Sequence, residues 1–212
     1  MPGLEDALTD AERAEVARCT TPFLVQEFLD QIAYDGDDRN RSPLGVIRER
    51  HGHCFDGALL GAALLRRLGY RPQVLDMWPE PGTDDDHVLA LFQVDGYWGA
   101  VAKSNFVNLR FREPVFRTLR ELIMSYFENF FNADGQKTLR SFTMPVDLRR
   151  YDADNWEVNQ GAVELIEEHL NRMRRIPVIN ERQRARLSPV DSRALQAGML
   201  GTNPSGLFKK DH

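Results

Sequence analysis

The stretch CFDGALLGAALLRRLG, residues 54–69, constrains this chain more than any other. Between Asp56 and Arg66 it carries no charged side chain, and its apolar residues run around all sides of a 3.6-residue helix. A helix of that kind cannot lie on a surface. The pattern predicts a buried central helix from about Cys54 to Leu68, closed by Gly69. A chain of 212 residues is long enough to enclose it. Residues 1–150 read as one domain with N-terminal helices, and 151–212 as a helical extension packed on the same domain.

Strand-like segments follow the helix. PQVLDMW (72–78) is separated by the polar loop PEPGTDDD from HVLALFQV (87–94), and Asp95-Gly96 then leads into YWGAVAKS (97–104). Asp-Gly between two alternating segments is a two-residue hairpin signal. Before the central helix, Thr9 and Asp10 cap a helix over about 11–19, Pro22 opens a second through PFLVQEFLDQIAY, and Ser42-Pro43 starts a short third. Apolar residues at steps of three and four predict an amphipathic helix over 117–131. TLRSFTM adds a strand, GAVELIEEHLNRMRR a helix, and Ser188-Pro189 a last short helix; residues 201–212 read as poorly ordered. Helices, then strands, then helices make an α+β order.

A net charge of −5, from 27 basic and 32 acidic residues, argues against a nucleic-acid binder. No apolar run approaches the ~20 residues of a membrane span, and the acidic, polar N-terminus lacks the pattern of a secretory signal. Two cysteines, Cys19 and Cys54, make no disulfide framework. A reducing, cytoplasmic setting is the expectation, in which a free thiol persists.

Cys54 stands at the first turn of the central helix, where the helix dipole and unpaired N–H groups favour a thiolate. A nucleophilic cysteine needs a base and a polar group to orient that base. His87, opening a strand just after a loop, is the candidate base. His51, His53 and Cys54 lack any CxxC or HExxH spacing, so neither a metal nor another cofactor is expected. Asp84, Asp85 and Asp86 read as a solvated loop. Being next to His87, these three aspartates can also raise the histidine pKa or select a cationic substrate by charge.

GHCFDGALLGAALLRRLGYRPQV followed by HVLALFQVDGYWGAV resembles the core of the transglutaminase-like superfamily, over about residues 40–110. The resemblance rests on Gly52, Cys54 and Asp56 before a small-residue helix, Gly69 before a strand, His87 opening the next and Trp98 the third. It implies a papain-like α+β core, with the central helix packed on a small antiparallel sheet and additional helices around it. It also implies a Cys-His site with Cys54 and His87 catalytic. The family's aspartate position is Ala102 here, leaving Asn105, preferred for its carbonyl, or Ser104 as the orienting group. His53, Asp86, Trp98 and Ser104 are the expected substrate-binding residues. The implied activity is a thiol hydrolase or acyltransferase acting on an amide, with a peptide, protein or small amide as substrate. The alternative is a catalytically degenerate binding or scaffold protein on the same fold.

Overall fold

The computed structural model describes residues 3–37 and 39–209. Short helices α1 (Leu4–Ala7), α2 (Asp10–Val16) and α3 (Pro22–Asp30) open the chain. Thr9 and Thr21 cap the second and third through their side-chain oxygens. The segment read as helix to Tyr34 leaves α3 at Asp30 and becomes β1 (Ala33–Tyr34). After α4 (Pro43–Glu49), β1 pairs in parallel with β2 (His51–Gly52). That two-residue pairing sets Tyr34 beside the entry to α5 (Cys54–Arg67), the expected central helix. Its residues from Cys54 to Leu65 are all buried.

β3 (Gln73–Pro79), β4 (His87–Val94) and β5 (Tyr97–Val101) form the antiparallel centre of the main sheet. Asp95 and Gly96 turn the hairpin with φ of 51° and 84°, both left-handed, as a type I′ turn requires. The sequence did not mark β6 (Arg112–Phe116), which extends the sheet beyond β5. On the other side β3 pairs with β7 (Leu139–Phe142) and with β8 (Val146–Asp147). β9 (Ile176–Pro177) then pairs with β7. The protein is therefore α+β, with a buried helix on an antiparallel sheet and further helices around it.

Strand alternation divides the core into two apolar clusters. Val74, Val88, Ala90, Phe92 and Val101 meet α5 together with α3, α4 and α7 (Gln160–Arg172). Leu75, Met77, Leu89, Leu91 and Ala100 face the opposite way, toward Leu122, Ile123, Tyr126 and Phe130. α5 lies close to the sheet because Gly57 and Gly61 carry no side chain. A Cβ at Gly57 would stand 2.1 Å from Lys103 Cβ, and one at Gly61 would stand 2.9 Å from Val101 Cγ2.

The amphipathic pattern over 117–131 is only partly helical. Thr118 and Glu121 form a reciprocal capping box that starts α6 (Leu119–Met124). At Ser125 the hydroxyl donates back to Leu122 O at 2.6 Å while accepting from Arg112 Nε at 2.9 Å. Bonds from Tyr126 N to Ile123 O and from Asn129 N to Tyr126 O tighten the chain to three residues per turn. The aromatic residues thereby reach the sheet face.

The C-terminal part adds α8 (Glu181–Arg184) and α9 (Ser192–Gly198). Residues 201–209, expected to be poorly ordered, pack against the domain, with a 3-10 turn at Pro204–Gly206 capped by Asn203. The rest of that expectation, 210–212, lies outside the described residues. No helix among the described residues is long and apolar enough to cross a membrane.

Candidate functional site

Cys54 lies at the first turn of α5, and its thiol is held against the start of β4. The S–H donates to Asp86 O at 3.6 Å, and the Val88 backbone N–H donates to the sulfur. Burial pushes the thiol pKa well above its ordinary value, and the Asp86 charge adds to the rise. The helix start therefore does not yield a resting thiolate here. Desolvation and a neighbouring carboxylate outweigh the dipole.

Asp86 is not part of a solvated loop. It shares the parity of Val88 and faces α5, where its carboxyl lies beside Asp76 of β3. Both carboxyls are raised, chiefly by burial, and Asp76 further by the charge of Asp86. Asp76 is 1% exposed, and its carboxyl faces Asp86 and the Trp78 indole N–H. Two adjoining buried carboxyls favour a protonated member, which removes one of two like charges. Arg175, stacked 3.4 Å over the Trp78 ring, favours the remaining negative charge. Asp84 is also drawn in: burial raises it to about 6 while Thr138 Oγ1 donates to it at 2.7 Å.

Cys54, His53 and Asp86 line one cleft of about 680 Å³. Asp35, Asp37, Asp85 and Glu167 make its rim acidic, and residues 205–209 close one side. His53 occupies the N-cap position of α5, with Nε2 3.5 Å from Asp56 Oδ2. Asp56 is fully buried and accepts from the Arg41 backbone N at 2.7 Å. The Arg41 guanidinium reaches Asp35 and Asp37 from behind the cleft, each at 2.9 Å, and offsets part of the rim charge.

His87 is elsewhere. Its Nε2–H donates to Leu109 O at 2.7 Å, and its ring meets Phe130 edge-on at 6.4 Å. Residue 87 shares its parity with Leu89 and Leu91, so the imidazole enters the cluster on the sheet face opposite α5. Burial lowers its pKa to about 4, leaving it neutral. Ala102 and Trp98 belong to that second face as well, and Trp98 packs at its edge. Asn105 does not orient an imidazole: its Nδ2 donates to Asn203 O at 2.9 Å and Gly206 O at 3.0 Å, and its Oδ1 accepts from Asn203 N at 2.7 Å. Ser104 Oγ accepts from Phe106 N at 3.0 Å within a local turn.

Of the expected residues, the fold thus brings together Cys54, His53 and Asp86, and it separates them from His87, Asn105, Trp98 and Ser104. Asp76 and Tyr34 were missed. Asp76 had a signal, since an acidic residue inside VLDMW at the parity of Val74 is a charge in a buried strand. Among the described residues, no group of three or more His, Cys, Asp or Glu is placed to hold a metal ion.

No protein-family model matches the chain, and neither does any curated protein. Two solved structures of Legionella pneumophila LapG are similar to part of it. The EGTA-treated form has a TM-score of 0.37 and 16% identity, over 49% of this chain and 63% of that one. The other has a TM-score of 0.35 and 17% identity, over 44% and 59%. The chain therefore spans about three fifths of the length of these structures, and less than half of it to about half is involved in each match.

Proposed function

We propose that this protein is a cysteine-dependent amide hydrolase or acyltransferase that uses Cys54 as nucleophile and the Asp76–Asp86 carboxyl pair as its proton store. The observation that carries this reading is that the Cys54 thiol, donating to the backbone carbonyl of Asp86, lines the same acidic cleft as Asp86, whose charge acts on the sulfur. The substrate class is an amide with a positively charged flank, drawn in by the carboxylates of the rim.

In the first step the thiol proton passes to the ionised member of the pair as sulfur attacks the amide carbonyl carbon. The tetrahedral intermediate then collapses, the C–N bond breaks, and the pair returns a proton to the departing amine. Water, or a second amine, attacks the thioester and gives its proton to the pair. The leaving sulfur takes that proton back, and acid or new amide is released. In this reading the N–H groups of the first turn of α5, which a helix leaves without intrahelical partners, stabilise the oxyanion. His53, oriented by Asp56, stands at the mouth and contacts the flank of the substrate.

Release of amine from N-acyl lysine and arginine amides, compared with glutamate amides, tests this. Turnover favouring the cationic substrates, abolished by Cys54→Ala and cut at least tenfold by Asp86→Asn, is the expected result. Absence of turnover, together with an ordinary alkylation profile for Cys54, refutes it. A second reading, a binding cleft without chemistry, is favoured by one observation: the thiol is held protonated.

A further inference from the structure

Residues 205–209 line one side of the cleft, and the segment from Asn203 is held there by contacts that local turn formation does not require. Asn105, 9% exposed, commits both ends of its amide to this segment: two N–H bonds to the carbonyls of Asn203 and Gly206, and one bond accepted from Asn203 N. The Asn203 side chain in turn makes three hydrogen bonds, one of them with Oδ1 accepting from Ser205 Oγ at 2.9 Å. Its Nδ2 donates to Tyr34 O at 2.9 Å, and its Oδ1 accepts from Ser205 N at 3.1 Å. A buried amide with its donors and acceptor all used on backbone is a reader of main chain, as in peptide recognition.

The approach is also close. A Cβ on Gly36 would stand 2.4 Å from Ser205 O, and one on Gly206 would stand 2.7 Å from the Tyr34 ring. Glycine at both positions lets the two backbones and the ring meet. Tyr34 is the wall shared with the catalytic side, since Cys54, Asp85 and Asp86 all act on its phenol, already raised by burial. Leu207 and Phe208 continue from the turn as half-buried side chains lining the same cleft as Cys54. Lys209 follows at a rim that carries Asp35, Asp37, Asp85 and Glu167.

We infer that the Cys54 cleft is a binding groove for a basic peptide, and that residues 205–209 of this chain are docked along its side in cis, in the place of such a peptide. From outside the cleft Asn105 holds the backbone of the segment at Asn203 and Gly206, Tyr34 takes the Asn203 side chain on its carbonyl and Gly206 against its ring, and the acidic rim selects positive charge. Access to the thiol then requires the segment to leave or be displaced. The inference concerns the occupant and not the reaction, so it holds whether Cys54 turns over substrate or only binds.

The test reads access to sulfur and needs no substrate. In a Cys19→Ala background, the alkylation rate of Cys54 by iodoacetamide is measured by intact mass at pH 8 for the full chain and for a chain ending at Thr202. The expected result is at least a tenfold faster reaction in the shortened chain, and return to the slow rate when a synthetic peptide of residues 201–212 is added. A peptide with both lysines replaced by glutamine should protect only at higher concentration. Equal rates in the two chains overturn the proposal, as does acceleration that the peptide fails to reverse. If the shortened chain does not fold, full-length Gly36→Val keeps the question answerable. Its side chain takes the place of Ser205 O, so alkylation must accelerate without loss of the thermal transition. Unchanged alkylation in that variant counts as refutation. Failure of the amide-release assay alone leaves this result standing, which separates the two claims.

Discussion

His87 Nε2 lies 2.7 Å from the carbonyl oxygen of Leu109, so the imidazole expected beside Cys54 instead ties β4 to the loop before β6. Its neutral form is the one that fits, because burial disfavours the charged ring and Arg112 adds repulsion. Unfolded, the histidine titrates near 6.5, and folded near 4. Between those values the unfolded chain binds the proton and the folded chain does not. Stability is therefore full above 6.5 and falls as pH drops toward 4, by about 3 kcal/mol at most. His87→Gln, which still donates a hydrogen bond, should flatten that acid slope in urea titrations. An unchanged slope would place the sensitivity elsewhere.

The Asp76–Asp86 pair acts in the opposite direction. Each folded carboxyl holds its proton above the ordinary value of 3.8, so their contribution is lost as pH rises through the raised range. Asp76→Asn removes one of two buried like charges and keeps the size of the side chain. It should raise stability at pH 8 by about 2 kcal/mol, or roughly 4–8 °C in the thermal midpoint, and change it little at pH 4. Calorimetry at both pH values checks the difference.

Arg41 is 4% exposed and ties Asp35, Asp37 and Glu49 to the fully buried Asp56. Arg41→Met keeps the apolar stem and the backbone N–H bond to Asp56 but removes the buried cation that faces all four carboxylates. The expected loss is about 3–5 kcal/mol in urea unfolding, larger than for any of the exposed arginine pairs.

At the contact of α5 with the sheet, Gly57→Ala should cost more than Gly61→Ala. The added methyl at Gly57 meets Lys103 Cβ at 2.1 Å, whereas at Gly61 the nearest atom, Val101 Cγ2, is at 2.9 Å and can rotate. Overpacking of about 1–3 kcal/mol is offset at Gly61 by up to about 1 kcal/mol of helix propensity. Reversal of that order in denaturant midpoints would mean that the helix shifts as a body.

Much of the architecture was legible because it is local. The all-round apolar pattern of 54–67 could only be a buried helix, and Asp95-Gly96 could only turn a hairpin in this context. The site was harder because its membership depends on parity. In DDDHVL, positions 86 and 87 point to opposite faces, and no local signal says which of the two faces α5. Asn105 was out of reach for another reason. Its partners lie 98 and 101 residues away in a polar, glycine-bearing segment that by composition resembles a free end.

The glycine contacts of α5 give the cleft one hard wall and one soft wall. Cys54 is fixed by a buried helix whose Gly57 and Gly61 rest directly on Lys103, Val101 and Ala90, so moving it means breaking the core. The segment from Asn203 is held by a few hydrogen bonds and can open alone, at a free energy well below that of global unfolding. Gentle warming should therefore uncover the thiol, and with it an unaltered site, many degrees before the protein melts.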